Sequence, residues 1–203
     1  FVFNTPNDKS RPGYLKMGWE IVDALPIAIV PTIFYFLRSI FKKKALKNYQ
    51  IQRERLDELC KIHNRLLSET DTIFTPKSAA YLKWRFEENP MKRYHVISTN
   101  DWYIAMYIKE HRFFKELRIV EVIGVGSNFY KEEVQNSVLH YAIENGCWII
   151  TLGNKDKDMF RFRIFGKFGP KLTFKSLTKD TLFINKALNI DNWKYSLGDL
   201  ELF

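Results

Sequence analysis

The segment WYIAMYIKEHRFFKELRIVEVIGVG, residues 102–126, decides the fold of this chain. Apolar residues predominate in 102–110 and recur through 115–124, and a hairpin of two long strands is predicted with His111 at its turn. A shorter strand is predicted at about 93–98, because Thr99-Asn100-Asp101 is typical of a tight hairpin turn. The segment ends at Gly124-Val125-Gly126, so three consecutive strands lead directly into a glycine-containing loop.

Helices and further strands are predicted on both sides of these three strands. Upstream, alternation predicts a strand at Tyr49–Arg53, and apolar spacing predicts helices at about 54–68 and 77–88. The downstream predictions are a helix from Ser127 or Asn128 to about 145, a strand at 147–152, a helix at 156–165, and strands near 171–177 and 181–186. This order predicts an α+β fold with a mixed, mostly antiparallel sheet flanked by helices. The tail, 192–203, is predicted to form an edge segment or a surface strap.

Composition narrows the function classes without choosing one. The 203 residues carry a formal net charge of +9, which attracts anionic ligands of many kinds. The two cysteines, Cys60 and Cys147, are too few for a disulfide scaffold and predict a cytoplasmic protein with reduced thiols. The apolar stretch Ile21–Phe41 contains Asp23, two prolines and Arg38, so no transmembrane segment is predicted.

A second informative pattern lies near the start of the sequence, Asn7-x-x-Ser10-x-x-x-Tyr14-x-Lys16-x-Gly18-Trp19. Strands are predicted before it, at Phe1–Asn4, and after it, at Glu20–Val30. Pro12 suits the first turn of a helix, and Gly18 suits the end of one. The pattern therefore predicts a strand–helix–strand unit. Asn7 and Tyr14 have purely structural alternatives, a helix cap and a core ring.

This pattern resembles one found in the GCN5-related N-acetyltransferase (GNAT) superfamily, Asn-x-x-Ala/Ser-x-x-x-Tyr-x-Lys-x-Gly-Phe. The element order of residues 49–186 resembles a complete copy of the same fold. The resemblance implies acetyl-CoA or another acyl-CoA as co-substrate, with Asn7 and Ser10 on the coenzyme side. It also implies Tyr14 as the general acid towards the leaving thiolate, a role that a phenol suits chemically.

In GNAT enzymes an Arg/Gln-x-x-Gly-x-Gly/Ala loop holds the pyrophosphate, and Glu121-Val122-Ile123-Gly124-Val125-Gly126 stands in its place here. The resemblance implies cofactor-binding roles for Gly124, Gly126, Ser127 and Asn154, although Glu121 departs from the pattern and Asn154 is displaced by one position. The two glycines alternatively mark a strand end or bulge. Phe162 stands where the family has tyrosine, and it has no proton to donate.

A general base is sought among acidic or imidazole side chains of the central strands. Glu110, His111 and Glu121 are the options, and Glu121 is the best placed, with an ion-pair role as its alternative. No set of four metal ligands assembles in the sequence, so no metal is expected.

Three parts are predicted: residues 1–31 as the C-terminal portion of a first GNAT domain, 32–48 as a basic helical linker, and 49–203 as a second GNAT-like domain. Residues 1–31 need a sheet to cover their apolar faces. We expect this sheet to come from the second domain, from a partner chain, or from an upstream domain in a longer protein. The resemblance implies acyl transfer to a small or sugar-like amine or hydroxyl acceptor. The alternative is a non-catalytic binding module. Nucleic acid is not the expected partner, and weak membrane contact through 32–48 stays open.

Overall fold

The computed structural model describes residues 1–35, 55–124 and 132–200 of the chain. Nine strands are formed within these residues: β1 (Val2–Asn4), β2 (Glu20–Ala24), β3 (Ile27–Pro31), β4 (His95–Ser98), β5 (Trp102–Glu110), β6 (Lys115–Gly124), β7 (Cys147–Gly153), β8 (Ile164–Gly166) and β9 (Lys171–Lys175). The α-helices of the same residues are α1 (Arg11–Lys16), α2 (Leu56–Ser68), α3 (Ala79–Leu82), α4 (Glu132–Glu144) and α5 (Thr181–Ala187). A π-helical turn, Lys83–Glu87, extends α3.

The larger sheet has six strands in the order β4-β5-β6-β7-β3-β8. Its neighbouring strands are antiparallel except β6 and β7, which are parallel. Parallel strands require a crossover connection, and α4 provides it between β6 and β7. The predicted α+β fold with a mixed, mostly antiparallel sheet is therefore confirmed.

Strand β3 joins the start of the chain to the larger sheet. It pairs with β7 from Ile27↔Gly153 to Pro31↔Ile149, and its other edge pairs with β8. Residues 1–31 thus form their hydrogen bonds with strands that come from residues 147–175. The three-part domain division stays a prediction, but strand pairing runs across its boundary.

A second sheet of three strands, in the order β1-β9-β2, contains the rest of the N-terminal segment. Helix α1 connects β1 to β2, as the strand–helix–strand prediction requires. Its end is marked by Gly18, whose φ of 79° is a left-handed conformation that glycine adopts without steric cost. Both outer strands are antiparallel to β9, so the second half of the chain supplies the sheet that covers this unit.

Three apolar clusters hold the layers together. On one face of the six-stranded sheet, α4 packs through Val134, Val138 and Ala142. On the other face, α2 and α3 pack through Leu59 and Leu82. The third cluster lies under the small sheet, with Phe174, Trp193 and Tyr195 among its members.

Several local predictions are wrong. Residues 181–187 are a helix rather than a strand, because Asp180 accepts hydrogen bonds from the backbone N–H groups of Leu182 and Phe183 and caps it. The predicted helix 156–165 is instead a 3₁₀ helix, Asn154–Met159, followed by strand β8. The predicted strand Tyr49–Arg53, most of the linker and residues 125–131 lie outside the described residues.

Candidate functional site

The parallel strands β6 and β7 separate partway along their length. Their pairing runs from Lys115↔Cys147 to Arg118↔Thr151, whereas β6 continues to Gly124 and β7 to Gly153. Beyond Arg118, the edge of β6 is therefore not paired with β7. A cleft between diverging strands at the centre of a sheet is a place where an extended ligand could bind along a strand edge.

A buried cluster of charged groups lies in this cleft, with Glu121 at its centre. Its Oε1 accepts a hydrogen bond from Lys155 Nζ at 2.8 Å, and its Oε2 lies 3.0 Å from Lys77 Nζ. Ser196 Oγ donates to Oε2 at 2.9 Å, and Lys77 also pairs with Asp199. All four ionic side chains are at least nine-tenths buried, so two cations and two anions balance one another away from water.

The cluster sets the ionisation of its own members. Burial alone would raise the pKa of Glu121, but Lys155 and Lys77 outweigh it and lower the pKa to about 2. Burial likewise opposes the charge of Lys155, yet its neighbour Glu121 keeps the pKa of that ammonium above the ordinary value. Glu121 is thus an ionised, fully buried carboxylate with low proton affinity. This geometry favours its ion-pair role over the alternative role of general base.

Local structure explains how the two lysines reach the cluster. Asn64 of α2 fixes the backbone of Lys77 on both sides, because its Nδ2 donates to Lys77 O and its Oδ1 accepts from Lys77 N. Lys155 follows β7 directly in the 3₁₀ helix, and its Nζ also donates to Val122 O at 2.9 Å. Sequence reasoning missed both lysines, because Lys77 lies in the loop before α3 and only Lys155 comes close after a buried strand.

The C-terminal segment Trp193–Leu200, which we call the strap, closes the cleft. A Cβ atom added at Gly153 would lie 2.5 Å from Tyr195 O, and one added at Gly198 would lie 2.7 Å from Val120 O. The strap therefore contacts both diverging strands through its backbone. Tyr195 and Leu197 are buried, so the prediction of an edge segment or surface strap is wrong on exposure.

The described part of this cleft is filled by groups of the chain itself. Val122 O is bound by Lys155, Val122 N donates to Glu121 Oε1 at 3.1 Å, and the strap lies against Val120. The strand edge that an extended ligand would use is thus occupied by side chains and backbone of the chain itself. Within the described residues, the polar groups of this cleft are paired with one another.

Tyr14 lies elsewhere, in α1, and its side chain reaches β1 of the small sheet. Asn4 Nδ2 donates a hydrogen bond to the Tyr14 hydroxyl oxygen at 2.7 Å, and the Tyr14 ring packs edge-on against Trp19 with centroids 5.0 Å apart. Because Asn4 is the donor, the phenolic proton of Tyr14 stays available to an acceptor. Tyr14 belongs to α1 beside the small sheet and Glu121 to β6 of the larger sheet, and the two candidate catalytic groups share no hydrogen-bond partner.

Asn7 and Ser10 form a turn at the exposed start of α1. Asn7 Oδ1 accepts from the backbone N–H groups of Lys9 and Ser10, at 3.0 and 2.9 Å, and from Ser10 Oγ at 3.2 Å. These bonds close the turn that precedes α1, a structural role for Asn7, whereas Ser10, the N-cap residue, makes no side-chain capping bond. The coenzyme-side role of both residues stays a prediction.

The remaining cofactor candidates are divided between the strap and the end of β6. Asn154 is buried and holds the strap, because Nδ2 donates to Trp193 O at 2.7 Å and Oδ1 accepts from Tyr195 N at 3.2 Å. Gly124 ends β6, and its carbonyl oxygen lies 3.3 Å from His63 Nδ1. Gly126 and Ser127 lie outside the described residues.

The other two base candidates have partners near the β5–β6 turn. His111 Nε2 lies 2.6 Å from Glu116 Oε2, and Glu110 pairs with Lys115 at the surface. Within the part of the chain that the structure describes, no group of three or more acidic, histidine or cysteine side chains could hold a metal ion. No described helix is long and apolar enough to cross a membrane.

Together the six-stranded sheet, its diverging parallel pair and the flanking helices define a GNAT-like fold. Among solved structures, the chain is similar to a GCN5-related N-acetyltransferase from Anabaena variabilis, with a TM-score of 0.51 and 11% sequence identity. The match covers 84% of this chain and 44% of that protein, so this chain spans less than half of its length. No protein-family profile and no curated protein sequence matches the chain.

Proposed function

We propose that this chain is the C-terminal part of a GNAT-type acyltransferase that transfers an acyl group, in the first instance acetyl, from acyl-CoA to a small or sugar-like amine or hydroxyl. The observation that carries the proposal is the fold, with its diverging parallel strands β6 and β7. The solved neighbour is more than twice as long as its matched part, which agrees with a parent protein of more than one such unit.

Within the proposal, Tyr14 is the residue of this chain that takes part in transfer. Its hydroxyl is held by Asn4 as an acceptor, which leaves the proton free to move to a thiolate. Asn7 and Ser10 lie at the exposed start of the same helix, where a ligand from another part of the parent protein can reach them. We do not assign co-substrate binding to the β6–β7 cleft, because it is filled by Lys155, Glu121 and the strap.

The test compares the full-length protein with this chain alone. Acetyl-CoA should raise the melting temperature of the full-length protein and be consumed in the presence of an amine acceptor, whereas the isolated chain should show neither effect. Desulfo-CoA, which has no thiol to acylate, controls for binding without transfer. A full-length protein that neither binds nor consumes acetyl-CoA contradicts the proposal.

A non-catalytic binding module is the second candidate, and the balanced ion-pair cluster favours it. Enzymes commonly keep a titratable group poised in an accessible cleft, but Glu121 is ionised, buried and fully paired. A module that keeps the GNAT-like fold while filling its cleft with its own strap has no need of a co-substrate. The same thermal-shift comparison separates the candidates, since only this one predicts no response from the full-length protein.

A further inference from the structure

A group of exposed apolar side chains surrounds the outer strand of the larger sheet. Phe162, Ile164, Phe165 and Phe168 lie in or beside β8, and each is between 42% and 56% exposed. Ile33 and Phe34 are exposed at the adjacent helical turn. We call these six side chains the edge patch. Successive side chains of β8 point to opposite faces of the sheet, so the patch surrounds the strand's outer edge. Most soluble proteins expose apolar residues singly, and six at one sheet edge indicate an interaction surface.

Two contacts join the two halves of the edge patch. Phe162 N donates a hydrogen bond to Tyr35 Oη at 3.1 Å, and the rings of Tyr35 and Phe162 have centroids 6.2 Å apart. Tyr35 directly follows Phe34, and β3 pairs with β8 up to Ile29↔Ile164. The exposed residues at 33–34 and at 162–168 therefore belong to one region of the surface.

The charge around the edge patch is positive. Arg161 lies over the Phe162 ring at 5.8 Å from its centroid, and Lys157 Nζ lies over the Phe165 ring at 5.1 Å. Two exposed carboxylates border the region, and each is paired with a cation: Asp158 with Arg163 and Asp23 with Lys167. The patch thus combines apolar side chains with an excess of cationic ones, within a chain of net charge +9.

From this combination we propose that the edge patch docks on the surface of an anionic phospholipid membrane. The apolar side chains enter the boundary between headgroups and acyl chains, while Arg161 and Lys157 stay at the level of the lipid phosphates. The outer edge of β8 limits the depth, because its backbone N–H and C=O groups need water or headgroup partners and cannot enter hydrocarbon. The protein therefore lies on the membrane without crossing it.

Two other partners fit the surface less well. Proteins that bind single-stranded nucleic acid stack its bases on flat aromatic rings. Two side chains of the edge patch, Ile33 and Ile164, are aliphatic and offer no ring. A second copy docked edge to edge would bring Arg161 and Lys157 of each copy near the same cations of the other. Cationic residues beside a short edge strand are a common means of preventing such pairing.

The test measures sedimentation of the protein with vesicles of phosphatidylcholine alone and of phosphatidylcholine with 30% phosphatidylserine. Binding to the anionic vesicles should exceed binding to neutral ones by about tenfold or more and should weaken as salt is added. The double variant Phe162→Ser/Phe168→Ser should lose about tenfold of this binding. The matched control is Phe113→Ser/Leu182→Ser, since both residues are more exposed than the patch and Phe113 also lies beside an arginine.

Insertion depth gives an independent measurement. Cys60 and Cys147 are buried, and burial raises the pKa of the Cys60 thiol to about 12, so neither competes for a thiol-reactive fluorophore. A label at Phe168→Cys should shift to the blue on anionic vesicles and be quenched by lipids brominated near the headgroup. The same label at Leu182→Cys should not respond.

Each remaining outcome overturns the proposal. Equal binding to neutral and anionic vesicles shows that anionic lipid is not the ligand. An equal loss of binding in the control variant shows that the edge patch is not the binding surface. Binding to a single-stranded oligonucleotide that depends on Phe162 and Phe168, without vesicle binding, assigns the surface to nucleic acid. A concentration-dependent dimer that the double variant abolishes, without vesicle binding, assigns it to a second copy.

Discussion

Glu121 shows how far a single residue can be interpreted from sequence. Its place on a central strand made it the best-placed candidate base, with an ion-pair role as the alternative, and the structure shows it fully buried. The sequence could not decide between the two, because its partners Lys77, Lys155 and Ser196 are up to 75 residues away in the chain. Only the folded backbone brings them together.

Replacing Glu121 by Gln should destabilise the fold strongly. The change keeps the shape but leaves Lys77 and Lys155 in a buried site with one anion fewer, which costs about 3–5 kcal/mol of unfolding free energy. Urea denaturation followed by tryptophan fluorescence measures the loss. Glu110→Gln, which removes only an exposed pair with Lys115, should cost no more than about 1 kcal/mol. Similar small losses in both variants would contradict the role of the cluster.

His63 should make the fold sensitive to mild acid. Burial and Lys155 lower its pKa from 6.5 to about 4, against the opposing effects of Gly124 O and Glu121. Between these pH values the unfolded imidazole binds a proton and the folded one does not, so stability is complete above pH 6.5 and falls towards pH 4. The loss over this window is about 3 kcal/mol of unfolding free energy.

Urea denaturation at a series of pH values, compared between the wild type and His63→Gln, measures this contribution. The variant should show a flatter dependence between pH 6.5 and 4.5, although not a flat one, since burial also lowers the pKa of His95. Measurements stop at pH 4.5, because below this pH the unfolded chain protonates Glu121 before the folded protein does, and this also lowers the free energy of unfolding. Parallel profiles for the two proteins would show that His63 does not titrate as proposed.

Tyr14 is the residue on which the proposed chemistry depends. In the full-length protein, Tyr14→Phe should lower turnover by roughly 10²–10⁴ if the phenol protonates the leaving thiolate. Tyr35→Phe is the matched control, because Tyr35 also uses its hydroxyl in a hydrogen bond but lies beside Phe162. Phe162→Tyr should change turnover little. Full activity in Tyr14→Phe, measured as release of free coenzyme A, refutes this assignment.

At the scale of elements, the sequence predicted best where periodicity and turn signals agree. Strands 102–110 and 115–124 were predicted at their observed bounds, because both segments are rich in apolar, β-branched and aromatic residues and lie next to turn residues. Residues 181–186 were predicted as a strand, but Asp180 caps the helix Thr181–Ala187 there. An aspartate directly before a short apolar segment is a local signal for a helix start.

The strap offers a sharp test at the same scale, because Gly153 lies against its backbone. A Cβ at Gly153 would meet Tyr195 O at 2.5 Å, and backbone atoms cannot move aside as a flexible side chain can. Gly153→Ala should therefore displace the strap and lower the free energy of unfolding by about 1–3 kcal/mol, as overpacking does elsewhere.

The matched control for the strap is a glycine with open space around it. Gly13 lies inside α1, and an added Cβ there would meet nothing within 4 Å. Gly13→Ala should stabilise the protein by about 0.4–1 kcal/mol, since alanine loses less backbone entropy in a helix. Urea midpoints that move in opposite directions for the two variants confirm the close approach, and a neutral Gly153→Ala contradicts it.

At the scale of the whole molecule, the sequence predicted the class of fold but not its connectivity. Element order identified the mixed sheet, since each strand and helix has a local pattern. It could not show that β3, from the start of the chain, lies between β7 and β8, because strand partners are chosen by long-range packing. The candidate site was predicted less well for the same reason, as its lysines and strap come from distant segments.

The position of β3 predicts that residues 49–203 do not fold without residues 1–31. Without β3, five backbone positions along β7 and the inner edge of β8 lose their partners, and Ala28 and Val30 leave the core. Fragment 49–203 should therefore unfold without a cooperative transition and bind a hydrophobic dye, whereas 1–203 should unfold cooperatively. A synthetic peptide of residues 1–35, added in excess, should restore the transition, and a peptide with Ala28→Asp and Val30→Asp should not. A cooperative transition in fragment 49–203 alone would instead establish it as an independent domain and confirm the division made from the sequence.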